Sequence, residues 1–456
     1  MNGIGLQERK IERMLKIADI IAATAGKVIL MAPDSFAGIS IDSRKIQKGE
    51  LFVALRGSRF DGHDFLGEAL KRGEGAIVSL ETGNFPEDKT IIYVKDTLKA
   101  LQNIARFMRL KRGIPVVGIT GSNGKTTTKE LTASVLSTAY RVLKNTGNLN
   151  NSIGLPLSLT GIDEEDDVVV LEMGASAPGE IRELCDIAVP NYGVLTNIGP
   201  SHLEGFGDLA AVRKTKLEIL DSVNIAVVNA DDLFMMEGIR ESGYKGMIVT
   251  YGIEDQADIS ASEIRLQEKG SNFLLHTPGG KPMKVSPKIS GMFNIYNVLA
   301  AAGVGYLFRI GLDDIKSAID SFEGVPMRLE FRDWEGARVI SDVYNANPAS
   351  MEEALKELVR IKGKRAVAVL GDMLELGPYE EEAHRKLGRL LSELPVEIFV
   401  AVGPRMAFAA AEFKGVVHRL SSASEAGRLL REIREKDDTI LIKGSRGMFM
   451  EKVLEA

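Results

Sequence analysis

The segment GSNGKTT at residues 121–127 has the residue types of a phosphate-binding loop. Its two glycines let backbone N–H groups approach a phosphate closely, and Lys125 supplies a positive charge for the β- and γ-phosphates of a nucleotide. The hydroxyl of Thr126 is a suitable ligand for Mg²⁺. The full P-loop pattern has a further glycine five residues before Gly124, where this chain has Ile119. We predict a nucleotide site on an incomplete P-loop; the alternative is a structural glycine turn that binds nothing.

Three further side chains could add chemistry to such a site. Glu172 follows the apolar run 168–171, and a carboxylate there could hold Mg²⁺ opposite the P-loop threonine. The alternative is a solvated surface glutamate. His202 lies in a loop after a predicted strand, where a single histidine is more often a surface residue than a ligand. Lys216, taken by itself, would be interpreted as a solvated helix lysine.

Polar loops are candidates for binding other reactants. One loop of the central region is rich in asparagine, which is typical of turns but also provides neutral hydrogen-bond donors for a sugar or an acyl phosphate. These asparagines are Asn148, Asn150 and Asn151. In the last third of the chain, the polar or glycine-rich loops 342–348, 371–377 and 443–447 each follow a predicted strand. Because parallel strands present their carboxyl ends at one edge of a sheet, we predict a composite ligand surface there.

The elements that must position these residues follow from the alternation of apolar runs with helical segments. The predicted central strands are 115–119, 168–171, 192–198, 225–229 and 247–250, and the predicted later strands are 337–341, 366–370, 397–402 and 439–442. Such alternation predicts mainly parallel sheets covered by helices on both faces. The segment 258–289 has strand-like alternation interrupted by turns, which predicts an antiparallel appendage.

The fold class is therefore α/β, and 456 residues are too many for one ordinary core. We predict three domains. Residues 1–112 form a small N-terminal α/β domain that begins with a polar extension at 1–13. Residues 113–325 form a central P-loop domain with a parallel sheet. Residues 326–456 form a C-terminal, Rossmann-like α/β domain.

Composition narrows the setting in which the protein works. The net charge is −6 and no basic stripe is present, which argues against nucleic acid as the main partner. One cysteine, Cys185, excludes an internal disulfide and fits a reducing compartment. The first residues are polar, and no apolar run reaches about 18 residues, so neither a signal peptide nor a membrane span is expected. We expect a cytoplasmic monomer.

Taken together, these stretches resemble the Mur ligases of peptidoglycan synthesis over nearly the whole chain after residue 14. The segment 120–126 resembles the family's shortened P-loop, which accounts for Ile119. Other matching segments follow the family's order: 148–154, 172–174, 196–198, 202–204, Lys216, 291–297, Arg328 and Asp342. Many members have a histidine where this chain has Phe293, so the adenine-side motif departs from the pattern at that position.

Within the family, the segments 344–348, 371–377 and 443–447 resemble the member that adds a D-alanyl-D-alanine dipeptide. The Asp-Asn-Pro-Arg motif of the ligase that adds the third amino acid is absent. The resemblance implies an ADP-forming ligase that joins the dipeptide to UDP-N-acetylmuramoyl-tripeptide through an acyl phosphate. Two alternatives remain: a related ligase that adds a single amino acid, and a non-catalytic, nucleotide-regulated module that binds a UDP-sugar.

The resemblance also implies roles for individual residues, with ATP, two Mg²⁺ ions and a CO₂-derived carbamate on Lys216 as the bound groups. The implied catalytic residues are Lys125, Asn151, Glu172, His202 and Lys216. The implied ATP contacts are Thr120, Gly121, Ser122, Asn123, Gly124, Lys125, Thr126, Thr127, Asn294, Asn297, Arg328 and Asp342. The implied metal ligands are Thr126, Glu172, His202 and carbamylated Lys216. The UDP substrate would contact Ser43, Arg44, Asp61, His63, Asn148 and Asn150, and the dipeptide would contact Asn345, Asn347, Ser350, Lys443, Ser445 and Arg446. The sequence does not distinguish lysine from diaminopimelate as the third residue of the peptide substrate.

Overall fold

The computed structural model describes residues 15–57, 59–254 and 256–455, so the predicted polar extension at 1–13 lies outside the described residues. Two compact units are described separately. The first comprises the described part of Met1–Val116 with Leu143–Leu171 and Glu183–Pro190, and the second comprises Val117–Val142, Glu172–Arg182 and the described part of Asn191–Ala456. Among the helices that the structure describes, none combines the length and apolar character needed to cross a bilayer.

The elements up to residue 112 are β1 (Leu15–Lys16), α1 (Ile17–Thr24), β2 (Lys27–Leu30), β3 (Ser35–Phe36), β4 (Gly38–Ser40), β5 (Glu50–Val53), α2 (Leu66–Arg72), β6 (Gly75–Val78), β7 (Thr90–Tyr93) and α3 (Thr97–Arg112). Five of these strands form a sheet in the order β2-β7-β6-β5-β4, which is parallel except for the antiparallel β2. Successive residues of β5 point to opposite faces, so Leu51 packs in one apolar cluster with Leu101 of α3 while Phe52 packs in another with Leu70 of α2. Both faces of this sheet are therefore covered by helices.

The end of α3 coincides with the predicted boundary after residue 112. Asp96 caps the start of the helix, where its side chain accepts a hydrogen bond from the backbone N–H of Lys99, and Gly113 caps its end in the left-handed conformation (φ 67°). Glycine adopts this conformation without the steric cost that a Cβ brings, which is why it commonly ends helices. The helix thus ends a few residues before the strand that leads into the P-loop.

The elements of the central region are β8 (Val116–Thr120), α4 (Lys125–Leu136), β9 (Val142–Lys144), α5 (Gly154–Leu159), β10 (Val168–Glu172), α6 (Glu180–Ala188), β11 (Tyr192–Leu195), α7 (Leu203–Phe206), α8 (Leu209–Leu217), β12 (Ile225–Asn229), α9 (Leu233–Ser242), β13 (Met247–Gly252), β14 (Ile259–Leu266), β15 (Ser271–His276), β16 (Met283–Val285), α10 (Met292–Leu307) and α11 (Leu312–Ser321). Within the second unit, neighbouring strands follow the order β16-β15-β14-β13-β12-β11-β8. Pairing is parallel from β8 to β14 and antiparallel from β14 to β16, which confirms the predicted appendage. The strand predicted at 192–198 ends earlier, at Leu195, and the residues after it form a loop at the candidate site.

The later elements are β17 (Glu330–Trp334), β18 (Ala337–Asp342), α12 (Pro348–Arg360), β19 (Ala366–Gly371), α13 (Glu380–Glu393), β20 (Ile398–Val402), α14 (Met406–Glu412), β21 (Val416–Leu420), α15 (Ala423–Ile433) and β22 (Thr439–Lys443). They form a sheet in the order β17-β18-β22-β19-β20-β21, in which only β17 is antiparallel to its neighbour. The sequence prediction missed the two edge strands, β17 and β21. Edge strands carry polar residues that discourage further pairing, so their apolar pattern is weak.

Candidate active site

The loop between β8 and α4 has the backbone geometry of a phosphate cradle. Gly121 and Gly124 have φ values of 142° and 80°, which L side chains rarely adopt. A Cβ added at Gly121 would lie 2.0 Å from Oγ1 of Thr196, and one added at Gly124 would lie 2.3 Å from Oδ1 of Asn297. Glycine is thus required at both positions, and the first N–H groups of α4 face the loop as a strand–turn–helix phosphate site needs.

The loop that follows β11 is held against the P-loop by side-chain and backbone hydrogen bonds. Oγ1 of Thr196 donates to the carbonyl oxygen of Asn123 at 2.6 Å, and the backbone N–H of Asn123 donates to Oδ1 of Asn197 at 2.9 Å. The backbone N–H of Ser122 donates to the carbonyl oxygen of Asn197 at 2.9 Å. These bonds hold the P-loop in position before any ligand is bound, which reduces the entropic cost of binding a nucleotide.

Lys125 begins α4 and curls back over the loop. Its Nζ donates to the carbonyl oxygens of Gly121 and Ser122, each at 2.9 Å. Burial lowers the pKa of Lys125, while the negative charge of Glu172 acts in the opposite direction. Glu172 ends β10 and is only 4% exposed, so the structure excludes the alternative of a solvated surface glutamate. The predicted ammonium and carboxylate therefore face the same loop.

Arg328 lies against the hydroxyl predicted to ligate metal. Its Nη2 donates to Oγ1 of Thr126 at 2.9 Å, and its guanidinium carbon lies 4.2 Å from the ring centroid of Tyr344. Both neighbours of Arg328 in the chain have left-handed backbones, with φ of 64° at Met327 and 43° at Leu329. Such conformations cost about 1–3 kcal/mol each and cluster at functional sites. The chain thus bends sharply on both sides of the arginine that it presents to the P-loop.

Lys216, interpreted alone as a solvated helix lysine, is buried in the structure with 1% of its surface exposed. Its Nζ donates to the carbonyl oxygen of Ala175 at 3.2 Å and lies 5.3 Å from the ring centroid of Phe206. Burial, and to a smaller extent the positive charge of Lys125, lowers the pKa of Lys216 to about 7. A substantial fraction of this amine is therefore neutral near pH 7, in contrast to an ordinary lysine.

The carboxylate of Glu218 lies two residues beyond that lysine but has other partners. Its Oε1 accepts a hydrogen bond from the backbone N–H of Gly179 at 3.1 Å, and its Oε2 accepts one from the backbone N–H of Arg182 at 2.9 Å. Both donors belong to the first turn of α6 or to the residue just before it. Glu218 therefore caps a helix rather than forming a direct ion pair with Lys216.

The buried amine predicts a dependence of stability on pH. Because the pKa of Lys216 is about 7 in the folded protein and ordinarily 10.5, the unfolded chain binds more protons between these values. The destabilisation by the buried charge is complete below pH 7 and is relieved as the pH rises from about 7 to 10.5. In CO₂-free buffer, the free energy of unfolding of the wild type minus that of Lys216→Met is expected to rise over this range. Lys214 is an exposed lysine on α8, so the free energy of unfolding of the wild type minus that of Lys214→Met should not change with pH over this range. A difference between the wild type and Lys216→Met that does not change with pH would contradict the prediction.

His202 precedes α7 and has a left-handed backbone (φ 51°). Its Nδ1 lies 2.5 Å from Oε2 of Glu375, which follows β19, and this hydrogen bond lowers the pKa of the glutamate. Glu375 is itself left-handed, with φ of 64°. The predicted histidine is thus held by a carboxylate from the last third of the chain.

The donor set fits Mg²⁺ that is bound mainly through a nucleotide. Within residues 15–57, 59–254 and 256–455, no three His, Cys, Asp or Glu side chains cluster as a protein-built metal site requires. Mg²⁺ usually keeps several waters and binds one or two carboxylates together with substrate phosphates. The hydroxyl of Thr126 and the carboxylate of Glu172 beside the P-loop match that requirement.

Asn294 and Asn297, predicted to contact adenine, are buried on α10. Nδ2 of Asn297 donates to Oδ1 of Asn294 at 3.0 Å, and Oδ1 of Asn297 accepts from Oγ1 of Thr128 at 3.1 Å. Nδ2 of Asn294 donates to the carbonyl oxygen of Ser290 at 2.7 Å. These side chains join α10 to the helix that follows the P-loop, and a contact with adenine stays a prediction.

Asp342 and Lys443 end the neighbouring strands β18 and β22, and their side chains form a buried ion pair. Nζ of Lys443 also donates to the carbonyl oxygen of Asn345 at 3.0 Å. With 2% of its surface exposed, Lys443 joins two of the three predicted ligand loops to each other. The contacts of Asp342 with ribose, and of Lys443 and Asn345 with the dipeptide, stay predictions.

Asn347 joins the C-terminal sheet to the P-loop. Its Nδ2 donates to Oδ1 of Asn123 at 2.8 Å, while its Oδ1 accepts from the backbone N–H of Ser350 at 2.9 Å. Oγ of Ser350 accepts in return from the backbone N–H of Asn347 at 3.0 Å, which completes a capping box at the start of α12. Two predicted dipeptide contacts therefore hold a helix N-terminus beside the nucleotide loop.

The remaining predicted dipeptide contacts lie on the loop after β22. Oγ of Ser445 accepts from the backbone N–H of Leu374 at 2.9 Å, which ties this loop to the one after β19. Nη1 of Arg446 pairs with Oε1 of Glu451 at 2.8 Å, and 51% of the arginine side chain is exposed. Among the predicted dipeptide contacts, Arg446 presents an accessible positive charge.

The residues predicted to bind the UDP end lie in the first unit. Arg44 makes two hydrogen bonds of 2.9 Å to the carboxylate of Asp42, and Ser43 between them is buried. Nδ1 of His63 lies 2.5 Å from Oδ1 of Asp61, which also caps the short 3₁₀ turn that follows it. Two ordered polar loops result, and their contact with a nucleotide stays a prediction.

The asparagine-rich loop also belongs to the first unit. Asn148 is exposed, and its carbonyl oxygen accepts from the backbone N–H of Asn150 at 2.8 Å. Oδ1 of Asn151 accepts from the backbone N–H of Gly154, the first residue of α5, at 2.9 Å. The loop is a turn, as its composition predicts, and the catalytic role of Asn151 stays a prediction.

Sequence reasoning assigned no individual role to four residues that the structure places at the site: Thr196, Asn197, Tyr344 and Glu375. All four lie within sequence segments that were named because of other residues in them. Their position beside predicted site residues was a signal, but which partner each one contacts depends on folding.

Three family models match the chain. The Mur ligase family catalytic domain matches residues 35–109, the Mur ligase middle domain matches residues 119–305, and the Mur ligase glutamate ligase domain matches residues 327–446. These matches cover most of the chain in the order of the three predicted domains.

Individual relatives share the chain's length as well as its segments. The UDP-N-acetylmuramoyl-tripeptide–D-alanyl-D-alanine ligase of Bacillus subtilis is 36% identical over 432 residues, which covers 92% of each chain. The ligase of the same name from Escherichia coli is 36% identical over 424 residues, covering 92% of this chain and 93% of the relative. A MurF structure from Acinetobacter baumannii matches with a TM-score of 0.90 at 32% identity, covering 97% and 98% of the two chains. MurF ligase from Thermotoga maritima, in complex with ADP, matches with a TM-score of 0.82 at 31% identity, covering 92% and 96%.

Proposed function

The chain belongs to the Mur ligase family, and we propose that it joins D-alanyl-D-alanine to the terminal carboxylate of UDP-N-acetylmuramoyl-tripeptide with conversion of ATP to ADP and phosphate. One observation carries the choice of acceptor. Asn347, from the motif that resembles the dipeptide-adding member, donates directly to Asn123 of the P-loop at 2.8 Å. This contact supports a shared site for the dipeptide and the nucleotide.

In the first step, a carboxylate oxygen of the tripeptide attacks the γ-phosphorus of ATP. The bond from that phosphorus to the bridging oxygen breaks, ADP leaves and an acyl phosphate forms. Lys125 and Arg328 stabilise the charge on the phosphoryl group, and this electrostatic alignment is the main task of the protein in phosphoryl transfer. Thr126 and Glu172 would hold one Mg²⁺ ion, and His202 and modified Lys216 would hold a second. When bound, these ions would supply further charge neutralisation.

In the second step, the amine nitrogen of the dipeptide attacks the acyl carbon. The tetrahedral intermediate then collapses with cleavage of the bond to phosphate, and one amine proton is lost as the amide forms. The proposed dipeptide contacts are Asn345, Asn347, Ser350, Lys443, Ser445 and Arg446. The proposed UDP-substrate contacts are Ser43, Arg44, Asp61, His63, Asn148 and Asn150, and Asn151 is a proposed catalytic residue. The proposed nucleotide contacts are the P-loop residues 120–127, Asn294, Asn297, Arg328 and Asp342.

Lys216 is proposed to carry a carbamate. Its neutral Nζ attacks the carbon of CO₂, a nitrogen–carbon bond forms, and the amine loses one proton to solvent. The product is an anion with two oxygens, which a hard cation prefers to an ammonium group. The lowered pKa of Lys216, about 7, supports this proposal because only the neutral amine reacts.

We also propose the domain boundaries 1–112, 113–325 and 326–456 and action as a cytoplasmic monomer without nucleic-acid partners. The end of α3 at Arg112 supports the first boundary, and the left-handed Met327 supports a change of direction near the second. A monomer is consistent with one chain that holds all three matched family domains.

Phosphate release with a matrix of substrates tests the function. Under the proposal, ATP turnover requires both a UDP-muramoyl-tripeptide, with lysine or diaminopimelate in third position, and D-alanyl-D-alanine. Single amino acids should give less than about a tenth of the dipeptide rate, a difference of at least about 1.4 kcal/mol in transition-state stabilisation. Equal turnover with a single amino acid would favour the related ligase instead. Binding of ATP without phosphate release in any combination would favour a non-catalytic module.

A further inference from the structure

A carboxylate to which the sequence assigned no individual role contacts one of the proposed metal ligands. Oε2 of Glu375 lies 2.5 Å from Nδ1 of His202, and the two residues are far apart in the chain. The glutamate side chain is 57% exposed, while that of the histidine is 32% exposed. Two partly exposed side chains can pair without any functional constraint. The backbone on both sides therefore decides whether this contact is fixed.

The backbone does fix it from both sides. His202 and Glu375 are both left-handed, with φ of 51° and 64°, a conformation that is uncommon outside glycine. The backbone N–H of Glu204 donates to the carbonyl oxygen of Glu375 at 3.1 Å. A Cβ added at Gly377 would lie 3.1 Å from Cα of Glu204, so the two loops approach each other backbone to backbone. Two strained residues held face to face by main-chain contacts are typical of a functional site.

The chemistry of the contact concerns the histidine's two nitrogens. A carboxylate accepts a hydrogen bond, so Nδ1 must carry the proton that is shared with Glu375. In a neutral imidazole, Nε2 then has its lone pair available for a metal ion or a water. Histidines that bind metals commonly donate their other ring N–H to a carboxylate, which fixes tautomer and ring orientation.

We propose that Glu375 is a positioning residue that holds His202 as the Nδ1–H tautomer with its Nε2 available to the reaction site. This proposal rests on the proposed ligase function, in which His202 helps to hold the second metal ion. Since Glu375 follows β19, the loop of the dipeptide motif at 371–377 also completes the metal side of the site. In this proposal His202, a metal ligand from the central region, is oriented by the loop whose sequence resembles the dipeptide-adding member of the family.

The tautomer can be measured directly in the ligand-free protein. With ¹⁵N-labelled histidine, long-range proton–nitrogen NMR distinguishes the protonated nitrogen of each ring, and the chain has only five histidines. The signals of His202 are assigned by their loss in His202→Gln. We expect Nδ1–H in the wild type and in Glu375→Gln, whose amide oxygen still accepts the hydrogen bond. We expect a mixture with Nε2–H in Glu375→Ala.

Kinetics supply the second measurement. Glu375→Ala is expected to reduce kcat by about 10-fold to 100-fold, and Glu375→Gln by less than about 10-fold. The matched control is Glu381→Ala. That glutamate is equally exposed at 57%, and it pairs with Arg385, which is 33% exposed, at 2.9 Å within α13. The control is expected to change neither the tautomer nor kcat.

The outcomes separate this proposal from the function on which it rests. A wild type that forms no product from dipeptide and tripeptide would overturn the ligase function, whatever the NMR shows. An active wild type whose His202 is doubly protonated or Nε2–H would overturn the positioning role. So would a Glu375→Ala variant that keeps the Nδ1–H tautomer, because a carboxylate that acts only through fold stability would not alter the tautomer of a folded variant.

Discussion

Lys125→Ala is expected to reduce kcat for phosphate release by at least about 100-fold, which is typical of removing one donor from a preorganised electrostatic site. The P-loop supplies this ammonium for the transferring phosphoryl group, and its Nζ already lies over the loop, 2.9 Å from two of the loop's carbonyl oxygens. The fold should persist, because the side chain begins a helix and removal of its ammonium relieves a desolvated charge. Phosphate release and thermal unfolding are the two measurements.

Lys214→Ala is the matched control for this prediction, since it removes an exposed ammonium from the same unit. It should retain the wild-type rate. If Lys125→Ala kept more than about a tenth of the wild-type kcat, the loss of transition-state stabilisation would be under about 1.4 kcal/mol. That result would contradict the assignment of the loop as a nucleotide site.

Lys216→Ala is expected to be nearly inactive, with a loss comparable to the at least about 100-fold effect at Lys125, and a small carboxylate such as acetate should restore part of the activity. The alanine leaves a space where the carbamate would lie, and acetate supplies the two anionic oxygens that the lysine has lost. Lys216→Arg should stay inactive at every acetate concentration. Arginine retains the positive charge, cannot be deprotonated in proteins and therefore cannot form a carbamate.

The measurement is phosphate release as a function of acetate concentration for both variants, with Lys214→Ala plus acetate as the control for a general effect of the salt. A fully active Lys216→Arg enzyme would exclude the carbamate. Mass spectrometry of native protein supplied with ¹³C-labelled CO₂, followed by chemical trapping, provides a readout that does not depend on turnover. The trapping experiment depends on the neutral fraction of Lys216 that a pKa of about 7 implies, because only the neutral amine reacts with CO₂.

Strand predictions that rested on continuous apolar runs were confirmed. The strands at 168–171 and 366–370 lie within one residue of β10 and β19, because buried strands of parallel sheets are continuous apolar runs that sequence alone reveals. The glycines of the P-loop were recognised because their chemistry is local. The edge strands β17 and β21 were missed since polar residues obscure their pattern.

Predictions of burial from single residues were less successful. Lys216, taken alone, was interpreted as a solvated helix lysine, and the structure buries it. Glu172 was given two alternatives, and burial decides between them. Charged residues are ordinarily exposed, so the residue type alone does not predict that the fold will bury one of them. The position of Glu172 after an apolar run had already made it a candidate metal ligand, whereas only the family resemblance predicted a role for Lys216.

The sequence by itself determined the class of the fold, the order of its elements, the P-loop and the family to which the chain belongs. These properties depend on residue types and on their spacing within short stretches of the chain. The tertiary structure alone decided the partners: Arg328 with Thr126 across 202 residues, Asn347 with Asn123 across 224, and Glu375 with His202. Contacts at such separations depend on how strands are ordered within sheets and on how loops meet at the carboxyl ends of those strands, and no local pattern encodes that arrangement.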